Sequence, residues 1–327
     1  MIHWPVRFMC VLLVLLAFPN RSPAPLIYSP TEGWRYEQVG EGAKWHRSRA
    51  KDQLEVAQEA FDKQDYSLAL KAAQRTLKVW PFSDDYAPQA QYIVARCYDA
   101  QGEDERAFKA YQNLLEKYPK IGNFNDIVTR QYIIATRFLK GQWFKIWNRI
   151  PFFPSMDKTI KMYDQIIKNG PYSEVAPYAQ MNIGSAHENK LFAEYPEAAK
   201  AYERAADRYS EHKVGTDALF KVGETYNKQA KKAEYDQSVA AQAISTFTDF
   251  ITLHPNDTRV SQAQSVIQSL KTEQARGSFD IARYYERHHR WEGAKIYYND
   301  VVSKDPNSKY AQDAKSRIDA INKHVPK

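Results

Sequence analysis

The chain has 327 residues, 43% hydrophobic and 26% charged, which is enough apolar material for a buried core and too little charge for a disordered polyelectrolyte. Twelve glycines and no alternating valine-rich segments leave little room for a sheet and favour helices. The net charge of +7 falls to +5 if residues 1–24, with Arg7 and Arg21, are removed; no Lys/Arg block or recognised nucleic-acid motif appears, and export across a membrane, expected from the N-terminus below, argues against DNA and RNA as partners.

Arg7 precedes an apolar run from Phe8 to Phe18 that is too short to span a bilayer, and Pro19, Asn20 and Arg21 close it. Residues 1–24 therefore read as a signal peptide, with Ser22 and Ala24 supplying small residues at the cut. Pro25 would come directly after the cleavage, so an uncleaved anchor is the other reading. Residues 25–45 form a linker broken by Pro30, Gly33, Gly40 and Gly42; its Tyr28, Trp34 and Tyr36 suggest a strap docked along the helical region beyond it.

From residue 46 to 322 the chain repeats one phrase: a small residue, an aromatic or second small residue a helical turn on, then a closing proline. YSLALKAAQRTLKVWP (Tyr66 to Pro81) and DERAFKAYQNLLEKYP (Asp104 to Pro119) stand 38 residues apart. Weaker copies hold Tyr163 and Pro171; Ala198, Tyr202 and Ala205, with Ser210 in place of the proline; Ala243, Phe247, Phe250 and Pro255; and Trp291, Ala294, Tyr298 and Pro306. Matching first-helix signals are Ala57 and Ala60, Ala95 and Tyr98, Gly184 and His187, Gly223 and Tyr226, and Ala282 and Tyr285. Alanine or glycine fits where paired helices cross closely, aromatics fill the wider gaps, and proline ends the second helix. A period in the thirties with helical spacing inside predicts an all-α, right-handed solenoid of tetratricopeptide-type helix pairs, five to six pairs with a C-terminal capping helix, forming one elongated domain.

Catalytic constellations are missing from the sequence. GEGAK at Gly40 to Lys44 lacks the spacing of a phosphate loop, His288 and His289 point about 100° apart on a helix, and His187–Glu188 has no second histidine. The expectation is a non-enzymatic protein with no metal and no cofactor. Cys97, left alone once Cys10 is cleaved away, reads as a small core filler, so no disulfide framework is expected.

Two features suggest binding. The stretch KGQWFKIWNRIPFFP, within an insert at 140–157, sets Trp143, Phe144, Trp147, Phe152 and Phe153 among Lys140, Lys145 and Arg149. It could fold back into the groove of the solenoid, form a partner patch rich in hot-spot residue types, or insert shallowly at a membrane interface. The second feature is polar stripes on first helices: Lys51, Glu55, Gln58 and Asp62; Gln89, Tyr92, Arg96 and Asp99; and Arg276, Arg283 and Arg287 with Asp280 among them. Such stripes are either solvated or line a binding face, the last being suited to an acidic partner.

The N-terminal phrases FDKQDYSLALKAAQRTLKVWP and DERAFKAYQNLLEKYP, with the later segment ending IARYYERHHRWEGAKIYYNDVVSKDP, resemble the BamD/YfiO family of tetratricopeptide lipoproteins in outer-membrane β-barrel assembly over about residues 46–322. Family members carry a lipidated cysteine after the signal, whereas Arg7, Phe8 and Met9 before Cys10 supply no such box, and this chain counts one pair more than the family's usual five. The resemblance implies a periplasmic adaptor, associated with the outer membrane, that helps insert β-barrel proteins. Its implied partners are the periplasmic part of a BamA-like insertase, at the last pairs, and client C-termini, at the first two. A general cell-envelope scaffold is the alternative.

Overall fold

The structure, a computed structural model, describes residues 26–29, 33–36, 45–47, 49–146, 150–232 and 237–324. Among them are two strands at the start, β1 (Leu26–Ser29) and β2 (Gly33–Tyr36), which pair antiparallel with Leu26 opposite Tyr36. They fall in the expected strap; the side chains of Tyr28, Trp34 and Tyr36, on which its docking was expected, lie outside those described. The signal-peptide segment likewise lies outside the described residues.

Thirteen helices come next among the described residues. They are α1 (Ala50–Asp62), α2 (Tyr66–Val79), α3 (Ala87–Ala100), α4 (Asp104–Lys117), α5 (Phe124–Leu139), α6 (Met156–Asn169) and α7 (Ala176–Glu188). Then come α8 (Tyr195–Arg208), α9 (Lys213–Lys232), α10 (Gln237–Leu253), α11 (Val260–Arg287), α12 (Trp291–Lys304) and α13 (Lys309–His324). Six pairs and a final helix result, which is the all-α tetratricopeptide architecture. A second hairpin, β3 (Phe144–Ile146) and β4 (Ile150–Phe153), interrupts the third pair between α5 and α6, with Phe144 opposite Phe153. Helix contacts divide the chain into two compact units, 1–97 and 98–327, the boundary falling inside α3.

The second helix of every pair is built on one register. Its first inward position is Ala69, Ala107, Thr159, Ala198, Ala243 or Ala294, and all six are fully buried. Four residues on stand Ala73, Tyr111, Tyr163, Tyr202, Phe247 and Tyr298; seven on stand Thr76, Leu114, Ile166, Ala205, Phe250 and Val301, all at most 1% exposed. Positions 0, 4 and 7 lie on one helical stripe, so a pair buries a narrow seam against its neighbours. Where the opposing first helix must come closest, it offers glycine. A Cβ on Gly184 would lie 2.4 Å from the Tyr202 ring, and one on Gly223 2.8 Å from the Phe247 ring.

Helix ends arise from local chemistry. Asp65 Oδ1 accepts the Leu68 N–H at 3.0 Å and starts α2; Ser155 Oγ accepts the Lys158 N–H at 3.4 Å and starts α6. The second helices stop at Trp80, Tyr118, Gly170 and Asp305, each directly followed by proline, which disfavours the helical region for its predecessor. The turn within a pair recurs too. Gln64, Gly102, Gly141 and His289 all have positive φ (63°, 68°, 99° and 56°). The next residue's N–H then closes on a carbonyl five residues back: Asp65 to Ala60, Glu103 to Tyr98, Gln142 to Arg137 and Arg290 to Tyr285. This is the Schellman ending. In the third pair the same turn forms at Gly141, and the hairpin is inserted directly after it.

Candidate binding surfaces

In the N-terminal unit, Lys51, Glu55, Gln58 and Asp62 lie along α1 with exposed side chains. The Gln58 amide donates to Asp62 Oδ1 at 2.9 Å. On α3, Gln89 donates to the Asp85 carbonyl, while Tyr92 and Arg96 are half-buried. The Arg96 guanidinium lies 4.9 Å over the Phe61 ring and reaches the Tyr92 hydroxyl at 3.4 Å, so it joins α3 to α1. Sequence reading passed over Gln53 on α1. It is fully buried, donates to the Trp45 and Ala72 carbonyls and accepts the Arg47 N–H at 2.9 Å, which clasps the incoming chain to the first pair. Cys97 is fully buried in the same unit, and burial pushes its thiol up to about 11, so it stays protonated and unreactive at neutral pH.

In the C-terminal unit, Asp99 is not open to a ligand. It pairs with Arg130 at 3.4 Å and with Arg137 at 3.2 Å. Arg137 also pairs with the buried Asp104 at 2.5 Å, and Gln142 donates to the other oxygen of that carboxylate. Asp104 thereby joins the start of α4, the end of α5 and the base of the hairpin. Glu105 adds a further tie by accepting the Lys145 N–H at 2.6 Å.

The insert divides its aromatics between core and surface. Phe144 is buried and stacked on Phe138, with ring centres 4.1 Å apart, and Lys158 lies 4.7 Å from its ring centre. Trp143 and Phe153 remain 52% and 43% exposed. Phe144 therefore serves as the hairpin's anchor, since a strand alternates its faces and only one can pack on α5. Trp147 lies outside the described residues. A shallow cleft beneath Trp143 is lined by Glu103, Asp104, Glu105, Arg106 and Lys145.

On the long helix α11, Arg276, Asp280, Arg283 and Arg287 share one face. Arg276 is half-buried between Glu273 and Asp280, its bond to Asp280 being 3.2 Å, and it holds the Glu273 carboxylate below its usual range. Arg283 and Arg287 are exposed; among the described residues neither makes an ion pair, and Arg287 Nε donates to the Arg283 carbonyl at 3.3 Å. Tyr284 and Ile281 are exposed beside them. The helix is held from behind by Glu286, which accepts the Tyr298 hydroxyl at 2.5 Å and pairs with Arg317 of α13. Among the described residues no cluster of His, Cys, Asp and Glu could hold a metal ion, and no helix is long and apolar enough to cross a membrane.

Paired helices with small-residue seams and Schellman turns define a tetratricopeptide-repeat protein, and residues 54–120 match the tetratricopeptide repeat family model. Residues 155–304, from the start of α6 to the end of α12, match the family model YfiO, an outer membrane lipoprotein, so this stretch of the tetratricopeptide array is YfiO-like. Both matches mark a protein-binding scaffold, and the second is a family of the cell envelope. No curated protein matches this chain. Among solved structures, a TPR repeats protein from Bacteroides fragilis is 13% identical, with 85% of this chain and 100% of that chain covered and a TM-score of 0.41. The C-terminal part of a TPR repeat-containing protein from Cytophaga hutchinsonii is 14% identical, with coverage of 81% and 87% and a TM-score of 0.37.

Proposed function

We propose that the chain is a non-enzymatic periplasmic adaptor in outer-membrane β-barrel assembly, acting through its last helix pairs on the periplasmic part of a barrel insertase. The observation that carries this reading is the YfiO match over residues 155–304, which contains the whole of α11 and its exposed arginines. Arg283 and Arg287 stand one helical turn apart with Ile281 and Tyr284 beside them, so the face offers two fixed cations next to apolar surface. That combination suits an acidic, partly apolar partner, with the charges setting orientation and association rate. Client C-termini are assigned to the first two pairs, where the exposed Lys51 and Gln58 and the half-buried Tyr92 and Arg96 lie.

The test is purification of the protein from its own envelope in mild detergent, with partners identified by mass spectrometry. A β-barrel insertase is expected in the eluate of the parent. Arg283→Glu/Arg287→Glu should capture less of it, with the remaining binding less sensitive to salt. A parent that brings down no insertase refutes the reading and leaves a general envelope scaffold in its place.

A further inference from the structure

Two successive connections in the C-terminal unit carry large apolar side chains that project into solvent. In the third pair the connection is the hairpin, with Trp143 and Phe153. In the fourth pair it is the loop 189–194, where Leu191 and Phe192 are 92% and 80% exposed. An ion pair ties the two together. Lys190 Nζ lies 2.6 Å from Asp157 Oδ1, four residues past Phe153 and close to Ser155, the cap of α6, and 2.8 Å from Glu194 Oε2. The loop of one pair is therefore fastened to the hairpin's exit from the pair before it.

The unmatched cations of this edge gather on its hairpin side. From residue 140 to 156 the sequence contains no Asp or Glu, and Lys140, Lys145 and Lys158 stand along it. The carboxylates that come near the hairpin, Glu103, Asp104 and Glu105, each have a hydrogen-bond partner. Arg106 binds Glu103 at 2.5 Å, Arg137 binds Asp104, and the Lys145 N–H is bonded to Glu105, while at the loop the single Lys190 serves both Asp157 and Glu194, so the lysines left over stand on the hairpin side. Lys158 reaches over Phe144 and, at 6.0 Å, toward Phe153, which keeps its cation beside the aromatic surface.

We propose that this edge, formed by Trp143, Phe153, Leu191 and Phe192 with Lys140, Lys145 and Lys158, docks on an anionic lipid surface. A protein partner would need a desolvated pocket to take its anchors, and the cleft beneath Trp143 is shallow and lined largely by the charged groups Glu103, Asp104, Glu105, Arg106 and Lys145. Trp143 and Phe153 at the base of the hairpin and Leu191 and Phe192 on the connecting loop project separately, which instead suits a fluid surface that closes around each of them. Tryptophan at the headgroup level, Leu and Phe in the outer acyl region and lysines toward anionic headgroups are the arrangement of interfacial anchors. Each lysine near such a surface adds attraction that is lost at high salt. This assignment does not depend on the insertase reading.

The full chain can be tested by hydrogen exchange with local readout, in the presence of phosphatidylglycerol–phosphatidylcholine vesicles. Amides around Trp143 and in the loop 189–194 should slow about tenfold or more, since burying one or two large apolar side chains is worth at least that factor. Pure phosphatidylcholine vesicles should give much weaker protection. Leu191→Ser/Phe192→Ser, which alters only exposed positions, should abolish the effect at the loop, and Trp143→Ser/Phe153→Ser should abolish it at the hairpin. Unchanged exchange at both segments in the presence of the anionic vesicles would overturn the proposal, as would equal protection by the neutral lipid. Protection by the insertase but not by vesicles would overturn it too, and would reassign the edge to a protein partner.

Discussion

Gly184 and Gly277 are both helical glycines, and the structure gives the same substitution opposite signs at the two sites. Alanine is favoured over glycine in a helix interior by about 1 kcal/mol, so on propensity alone either change should stabilise. At Gly184 of α7 the new methyl would sit 2.4, 2.6 and 2.7 Å from three carbons of the Tyr202 ring. That ring is 1% exposed and its hydroxyl is bonded to Ser185 Oγ at 3.1 Å, so it has nowhere to move without losing packing and a hydrogen bond. Overpacking of a tight core costs about 1–3 kcal/mol and a lost hydrogen bond about 1 kcal/mol. Set against the propensity gain, Gly184→Ala should destabilise by about 1–3 kcal/mol. At Gly277 of α11 the nearest atom to the methyl is Gln237 Nε2 at 3.4 Å, the end of a flexible side chain, so Gly277→Ala should stabilise by about 0.5–1 kcal/mol. Urea denaturation monitored by circular dichroism reads both. Combining Gly184→Ala with Tyr202→Leu should remove most of the steric penalty, which isolates the ring as its cause. If Gly184→Ala stabilises the protein as Gly277→Ala does, the ring of Tyr202 does not press on α7 and the reasoning fails.

Ala107→Trp places an indole at a fully buried position and should cost about 1–3 kcal/mol, seen as a lower urea midpoint. Phe144→Ala should cost about 3 kcal/mol or more, whereas Trp143→Ser should change the midpoint little, because only the first ring is an anchor. Gln64→Gly relieves a left-handed backbone strain and should raise the melting temperature, with a gain of about 1 kcal/mol. Hydrogen bonds from Arg259 hold the Asp257 carboxylate down to about 2, below its ordinary 3.8. The pair's contribution is therefore present above pH 3.8 and lost as pH falls through about 2, so Asp257→Asn should lower the melting temperature at pH 7 and hardly at all at pH 2.

The repeat phrases are legible because period and side-chain size are both properties of a line of text: Ala107, Tyr202, Phe247 and Tyr298 land where their spacing puts them, and all are buried. The turn at Gly102 can also be read, but its equivalents at Gln64 and His289 cannot, since nothing in those residue types announces a positive φ. The hairpin is visible only as an excess of aromatics. Which ring faces inward depends on where β3 meets Phe138, a contact set by the packing of α5 and not by the order of residues. The charged stripes are legible as stripes. That Asp99 is consumed by Arg130 and Arg137 while Arg283 stays free is decided by partners more than 30 residues away or by their absence among the described residues. Gln53 escapes notice because a glutamine on a polar helix gives no sign that three backbone groups will converge on it.

The hairpin at 144–153 closes on Phe138, Glu105 and Lys158, all belonging to the helices of its own pair or the one just before it. Losing these contacts would rupture none of the alanine seams elsewhere, so their free energy is a private quantity of that neighbourhood. Evolution could lengthen, recolour or delete such an appendage without renegotiating the rest of the chain. The registers before and after it, from Ala107 to Thr159 and on to Ala198, have kept step despite the extra residues between them. In this respect the repeat array behaves like a rack in which one slot holds an exchangeable tool.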